Sequence, residues 1–208
     1  VVGFAMGLIE LKGNGMSHEP LGRRKYVLIF PLLAFAWFPQ QLHAHRPIFT
    51  EDAAEDPATA IPISEPHISQ VVYREITDES PRIWLGFTLP KDAKLHVQIG
   101  VPVIDRLKDF RPSMAVVGPG LPAGDKPFDT PKDTGVKVLL TGQVKKPRFF
   151  HEHFTGTDSW ILRSDTLSLS KPGRYYLVAF SPEGQKGKLW LAIGKKESFS
   201  AGFLKKLL

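Results

Sequence analysis

Cysteine is absent from the 208 residues, which excludes disulfides, thiolate zinc sites and a catalytic thiol. Long apolar runs are missing too. The most apolar stretch, residues 26–38 (YVLIFPLLAFAWF), has thirteen residues, fewer than the roughly 20 that a bilayer-spanning helix needs. Charge of one sign is nowhere concentrated: 27 Lys and Arg are scattered among 21 Asp and Glu, so the basic stripe of a nucleic-acid-binding surface is lacking. There is no G-x-S-x-G elbow, no H-E-x-x-H helix and no phosphate-cradling glycine loop. Ser159 and Ser164 neighbour Asp158 and Asp165 in sequence, but a triad is defined by geometry and not by adjacency. The chain is therefore not expected to be an enzyme or to take nucleic acid as a partner.

What is present begins with targeting. Arg23, Arg24 and Lys25 form a positive n-region, residues 26–38 an apolar h-region, and residues 39–44 (PQQLHA) a polar end closing on Ala44. This is the pattern of a secretory signal-peptide helix, removed on export; an uncleaved N-terminal anchor is the alternative. Residues 1–15 do not fit an n-region, whereas MSHEPLGRRKYVLIF from Met16 does. They are expected to be upstream translation or a misassigned start. Cleavage after Ala44 removes four basic residues (Lys12, Arg23, Arg24, Lys25) and two acidic ones (Glu10, Glu19), leaving 164 residues of net charge +4 that begin at His45. The expected location is extracytoplasmic, either secreted, periplasmic or at the cell surface.

Residues 45–66 are rich in Pro, Ala and acids without a sustained apolar period, and read as an irregular arm with one edge strand at 61–63. From residue 67 the texture changes. Short β-rich segments at 68–76, 82–89, 94–101, 113–117, 136–140, 160–162, 166–169, 174–180 and 188–194 are separated by Gly, Pro and Asp breakers. Residues 104–110 have room for one helical turn, residues 119–135 read as a long surface loop, and residues 142–148 as a turn-rich link. Eighteen Gly and eighteen Pro favour such short strands over long helices. The fold expected over residues 67–197 is all-β: an antiparallel two-sheet β-sandwich, jelly-roll-like. Residues 198–208 are a short amphipathic tail.

Two segments resemble a known family. IWLGFTLPKDAKLHVQI (residues 83–99) is similar to the opening of bacterial pre-peptidase C-terminal domains: an aromatic-containing strand, a turn, then alternating hydrophobics. PGRYYLV (172–178) followed by GKLWLAI (187–193) resembles that family's closing hairpin. The resemblance covers roughly residues 68–194 and implies a non-catalytic β-sandwich of the kind attached to exported enzymes or surface proteins. The middle segments VPVIDRLKDF and VVGPGLP depart from that pattern and resemble a group of exported bacterial proteins of unassigned function.

Five histidines follow the cleavage site: His45, His67, His96, His151 and His153. An N-terminal His45 could chelate Cu(II) through its amine and imidazole, and His151 and His153, facing one way in a strand, could complete the site. The bland alternative is an exposed terminus and two surface histidines. His96, in an alternating strand, is expected to face outward as a polar residue. Asp105 and Asp109 would share a helical face, but with Arg106 and Lys108 beside them they read as surface pairs. Glu51, Asp52, Glu55 and Asp56 lack the spacing of a calcium loop. Tyr73, Trp84, Tyr175, Tyr176 and Trp190 could line a sugar-binding face or serve as core and cross-strand pairs. In the tail, Phe199, Phe203, Leu204, Leu207 and Leu208 recur at helical spacing around Lys205 and Lys206, so residues 199–208 could contact a membrane peripherally or dock on the sandwich. The expected function is a non-catalytic exported binding or surface-associated module with no cofactor, its partner an unknown protein or glycan at the cell envelope. The alternative is a small copper protein using His45, His151 and His153.

Overall fold

Apolar residues lie on both faces of the strongest strands, for instance IWLGFTL and YYLVAF, which a single-sided sheet in water would not tolerate. In the computed structural model, which describes residues 46–48, 50, 54–152 and 156–196, two sheets bury them. The first has six strands in the order β1 (Arg46–Ile48), β3 (Gln70–Ile76), β11 (Gly187–Ile193), β5 (Ala93–Pro102), β9 (Thr157–Leu169) and β8 (Arg148–Glu152). The second has five: β2 (Ile61–Pro62), β4 (Arg82–Leu89), β10 (Gly173–Phe180), β6 (Ser113–Gly118) and β7 (Gly135–Leu139). The chain is a β-sandwich. Its main core lies between the sheets, with Leu95, Val97, Ile99, Leu189 and Leu191 from one and Leu85, Phe87, Met114, Val116, Tyr175 and Leu177 from the other. Among the described residues the helical content is one 3-10 turn, Asp105–Leu107. The expected signal segment, residues 1–44, and the tail, residues 198–208, lie outside the described residues.

The sheets are antiparallel except at one edge each, where β1 runs parallel to β3 and β2 parallel to β4. Both strands come from the segment whose composition reads as an irregular arm. Arg46 N–H donates to the Ser69 carbonyl at 2.9 Å and Ile63 N–H to Gly86 at 2.9 Å. Pro47 and Pro62 sit in these strands, which is tolerated because an edge strand needs donors on one side only. Between them the arm crosses from sheet to sheet. Ala54 is buried in the core, its carbonyl accepts Trp84 N–H at 2.7 Å, and Asp56 Oδ1 accepts the N–H groups of Ala58 and Thr59 at 2.8 Å each. These bonds, Thr59's foremost, hold the Asp56 carboxyl below its ordinary value of 3.8.

The two segments expected at 160–162 and 166–169 are one thirteen-residue strand, β9. Register against β5 pairs Ile99 with Arg163 but Gly100 with Ile161, so Leu162 is a bulge residue without a partner. The bulge explains why the alternation breaks there: Leu162 enters the main core while Ile161 joins an outer apolar patch with Val71, Trp190 and Ala192.

The outer face of the five-stranded sheet is covered by the loop of residues 119–135. Phe128 packs edge-on against Trp84 and Phe180, each at a centroid distance of 5.3 Å, and Trp84 meets Tyr176 at 5.5 Å. With Ala115, Val117, Val136 and Val178 they form a second small core. The loop is pinned by Val136 N–H to the Pro122 carbonyl at 2.9 Å and by Lys126 Nζ to Thr130 Oγ1 at 2.8 Å and the Thr134 carbonyl at 3.0 Å.

This packing predicts that Phe128→Ala, although in a loop, costs about 3 kcal/mol, as expected for a buried aromatic truncation. Phe149→Ala, whose exposed ring meets Trp160 edge-on at 5.4 Å, should cost only about 1 kcal/mol. Urea denaturation of the two variants checks the contrast; equal losses would show that the loop is not packed on the sheet.

Candidate functional site

Of the expected copper ligands, His45 and His153 lie outside the described residues. His151 stands on β8 opposite Asp158 of β9, with Nδ1 2.6 Å from Asp158 Oδ1. That bond ties one ring nitrogen to a carboxylate. Among the described residues no three His, Asp or Glu side chains converge as a metal site would require. Asp105 and Asp109 share no helical face, since the turn ends at Leu107, and Glu51 and Asp52 lie outside the described residues.

His96 faces outward, as alternation predicts, into a polar row. Its Nδ1 lies 2.9 Å from Thr166 Oγ1 and its Nε2 3.2 Å from Gln98 Nε2, which itself donates to Ser164 Oγ at 3.1 Å. Both ring nitrogens are thus engaged in the polar row. Burial, and then the Lys195 charge, push its pKa below the ordinary 6.5.

The five aromatics divide between core and surface. Trp84, Tyr175 and Trp190 are buried, Tyr176 is half-buried, and Tyr73 is 42% exposed. Arg174 lies over the Tyr176 ring at 5.4 Å. Tyr73 stands on β3 across from Trp190 of β11, which in turn stands across from Gly100 of β5. The indole occupies the space a side chain at Gly100 would need, so Trp190 lies flat as a floor while the Tyr73 ring stands beside it.

Two residues further along, Glu75 and Lys188 are register partners, as are Pro102 and Ser159. Together with Ile104 and Thr157 these side chains line a cleft of about 480 Å³, a size usual for small-ligand sites. Burial raises the Tyr73 phenol above its ordinary 10.0, and the Glu152 carboxylate adds to the shift. The cleft thus combines an apolar floor, one accessible ring, hydroxyls and both signs of charge. Such a set binds and orients a polar ligand with a flat apolar face. Sequence reading had Tyr73 and Trp190 as candidates but missed Glu75, Lys188, Ser159 and Pro102, whose grouping depends on strand order.

No family model matches this chain, and no curated protein does. Among solved structures it is similar to the pre-peptidase C-terminal domain of a collagenase from Bacillus anthracis, at 11% identity, covering 64% of this chain and 91% of that one, with a TM-score of 0.34. It is also similar to the Methylococcus capsulatus secreted protein MopE, in which an oxidized tryptophan facilitates copper binding, at 12% identity, covering 55% and 70% of the two chains, with a TM-score of 0.25. The sandwich architecture itself is established by the strand pairing and the core described above.

A pH dependence follows from His96. Its pKa is lower folded than unfolded, so around and below pH 6.5 the unfolded chain binds more protons, and stability falls as pH drops through that range. His96→Gln should flatten this part of the profile. Denaturation midpoints between pH 5 and 8 for both proteins check it; parallel profiles would contradict the assignment.

Proposed function

We propose that the protein is an exported, non-catalytic binding module that holds a glycan of the cell envelope in the cleft beside Tyr73. The observation that carries this reading is the pairing of an accessible tyrosine ring with a buried tryptophan floor, bordered by Glu75, Lys188 and Ser159. Sugar rings offer an apolar C–H face and a rim of hydroxyls. An aromatic ring packs against the former, and carboxylate, ammonium and hydroxyl groups bond the latter. Export is supported by the n-region and h-region of residues 23–44. The non-catalytic role is supported by the lack of a G-x-S-x-G or H-E-x-x-H motif in the sequence.

The test is titration with soluble oligosaccharides of neutral hexoses and of N-acetylated amino sugars, followed by NMR shifts and calorimetry. Saturable binding to at least one should perturb the amides of β3 and β11. Tyr73→Ala should weaken it about tenfold, the scale of a lost stacking anchor, with little change in melting temperature because the ring is exposed. Binding unaffected by Tyr73→Ala, or no binding across both classes, would overturn the reading.

A further inference from the structure

A second cleft, sharing no residue with the first, opens where the two sheets meet, beside the start of β6, the end of β7 and the middle of β9. It has a volume of about 480 Å³ and is lined by Arg111, Ser113, Gln143, Arg163 and Glu183 among others. Arg111 follows the 3-10 turn and leads into β6. Its Nε donates to the Val144 carbonyl at 3.2 Å, and its Nη1 to the Lys108 and Phe110 carbonyls at 2.8 and 3.0 Å. Arg163, just past the bulge of β9, donates from Nε to Asp165 Oδ2 at 2.6 Å and from Nη1 to the Leu140 carbonyl at 2.8 Å.

Each guanidinium is therefore fastened through Nε and Nη1. Among the described residues neither Nη2 has a protein acceptor. Arg111, in the lead-in to β6, and Arg163, on β9, thus line one cleft with their guanidinium groups held by the protein. Backbone carbonyls orient a guanidinium without neutralising it, and only Arg163 has a carboxylate bonded to it. A guanidinium already ordered by protein acceptors loses little entropy when its remaining N–H donors bond a carboxylate or phosphate oxygen.

We propose that this cleft is an oxyanion site in which the Nη2 groups of Arg111 and Arg163 together hold a phosphate or carboxylate group of a small ligand. The Gln143 amide is the neutral group at hand for the rest of that ligand. Glu183, on the cleft's rim, disfavours a second negative charge and so selects a singly charged head group over a polyanion.

The experiment uses inorganic phosphate and, separately, acetate as probes, with sodium chloride at equal ionic strength as control. Arginine side-chain Nε–H signals of the wild-type protein are followed by NMR. The signals of Arg111 and Arg163 should shift saturably with at least one probe and not with chloride, and which probe saturates first separates phosphate from carboxylate chemistry. Arg163→Lys retains the charge toward Asp165 but loses the Nη2 donors, and should weaken binding about tenfold, the scale expected where a planar guanidinium is replaced by a point charge. Arg163→Gln should abolish it. Should Arg163→Gln fail to fold, the wild-type signals and Arg163→Lys still decide. Shifts that chloride reproduces, or unchanged affinity in Arg163→Lys, would overturn the proposal.

Discussion

Strand β10 is buried on both faces, and much of the remaining architecture follows from covering it. Tyr175, Leu177 and Ala179 point into the space between the sheets, while Tyr176, Val178 and Phe180 point away from it. Apolar surface of that extent on the outer face would cost on the order of 2 kcal/mol for each large side chain left in water. The loop of residues 119–135 removes the cost by laying Phe128 over Trp84 and Phe180. The start of that loop is in turn fixed by β10, since the Tyr175 hydroxyl shares its proton between the carbonyls of Pro119, at 2.8 Å, and Lys171, at 2.7 Å. One strand thus sets both the main core and its outer cover. The five-stranded sheet is spent on structure, and ligand-facing side chains fall to the other sheet and to the margin between the two.

Sheet edges are the second constraint, because unpaired strand edges invite association. Here the arm closes one edge of each sheet: β1 joins the six-stranded sheet and β2 the five-stranded one. Ala54, Ile61 and Ile63 carry the crossing into the core. Each strand is two or three residues long and carries a proline, so neither is a good template for further pairing. At the opposite edge of the six-stranded sheet, β8 follows Lys145, Lys146 and Pro147 and begins with Arg148, charges and a proline that oppose edge-to-edge contact.

How legible these features were depended on whether the determining contact lay within a strand or between strands. The segments of β4, β5, β6, β10 and β11 were readable because each carries its own apolar run and its own Gly or Pro boundary. In the arm, the edge strand expected at 61–63 is β2, but β1 was not readable. Three residues bearing proline have no period to detect, and their pairing partners lie more than twenty residues away. RFFHE of β8 was not among the expected strand segments, only its first residue falling in the turn-rich link. Its charges and histidine mask two aromatics whose partners, Trp160 for Phe149 and the Val71, Ile161, Trp190 and Ala192 patch for Phe150, lie on other strands. The copper reading turned on His151 and His153 sharing a face. The described part of β8 stops at Glu152, and the acceptor for His151 is Asp158, a cross-strand neighbour that no motif announces. Tyr73 was named with four other aromatics, yet nothing in QVVYREI distinguishes an exposed ring from a buried one. The weak signal was Arg74 and Glu75 beside it, marking where the strand turns polar.

The Tyr73 cleft depends on one extra residue in β9. Ahead of the bulge, Thr157, Ser159 and Ile161 face outward, and Trp160 faces the core beside Val101. After it, Ser164 and Thr166 take the outward positions, meeting Gln98 and His96. In an unbroken strand, side chains alternate with period two, so keeping Ser164 outward would place Trp160 outward and Ser159 inward. The bulky indole would then stand in the Tyr73 cleft, and a hydroxyl would lie in the main core without its apolar partner. Leu162 prevents this by shifting the phase once, and its burial in the core holds the shift in place. Arg163, inward because its neighbour Ser164 faces outward, reaches to the Leu140 carbonyl just past β7. A bulge fastened by a core leucine is therefore the point through which packing dictates what the Tyr73 cleft presents to a ligand.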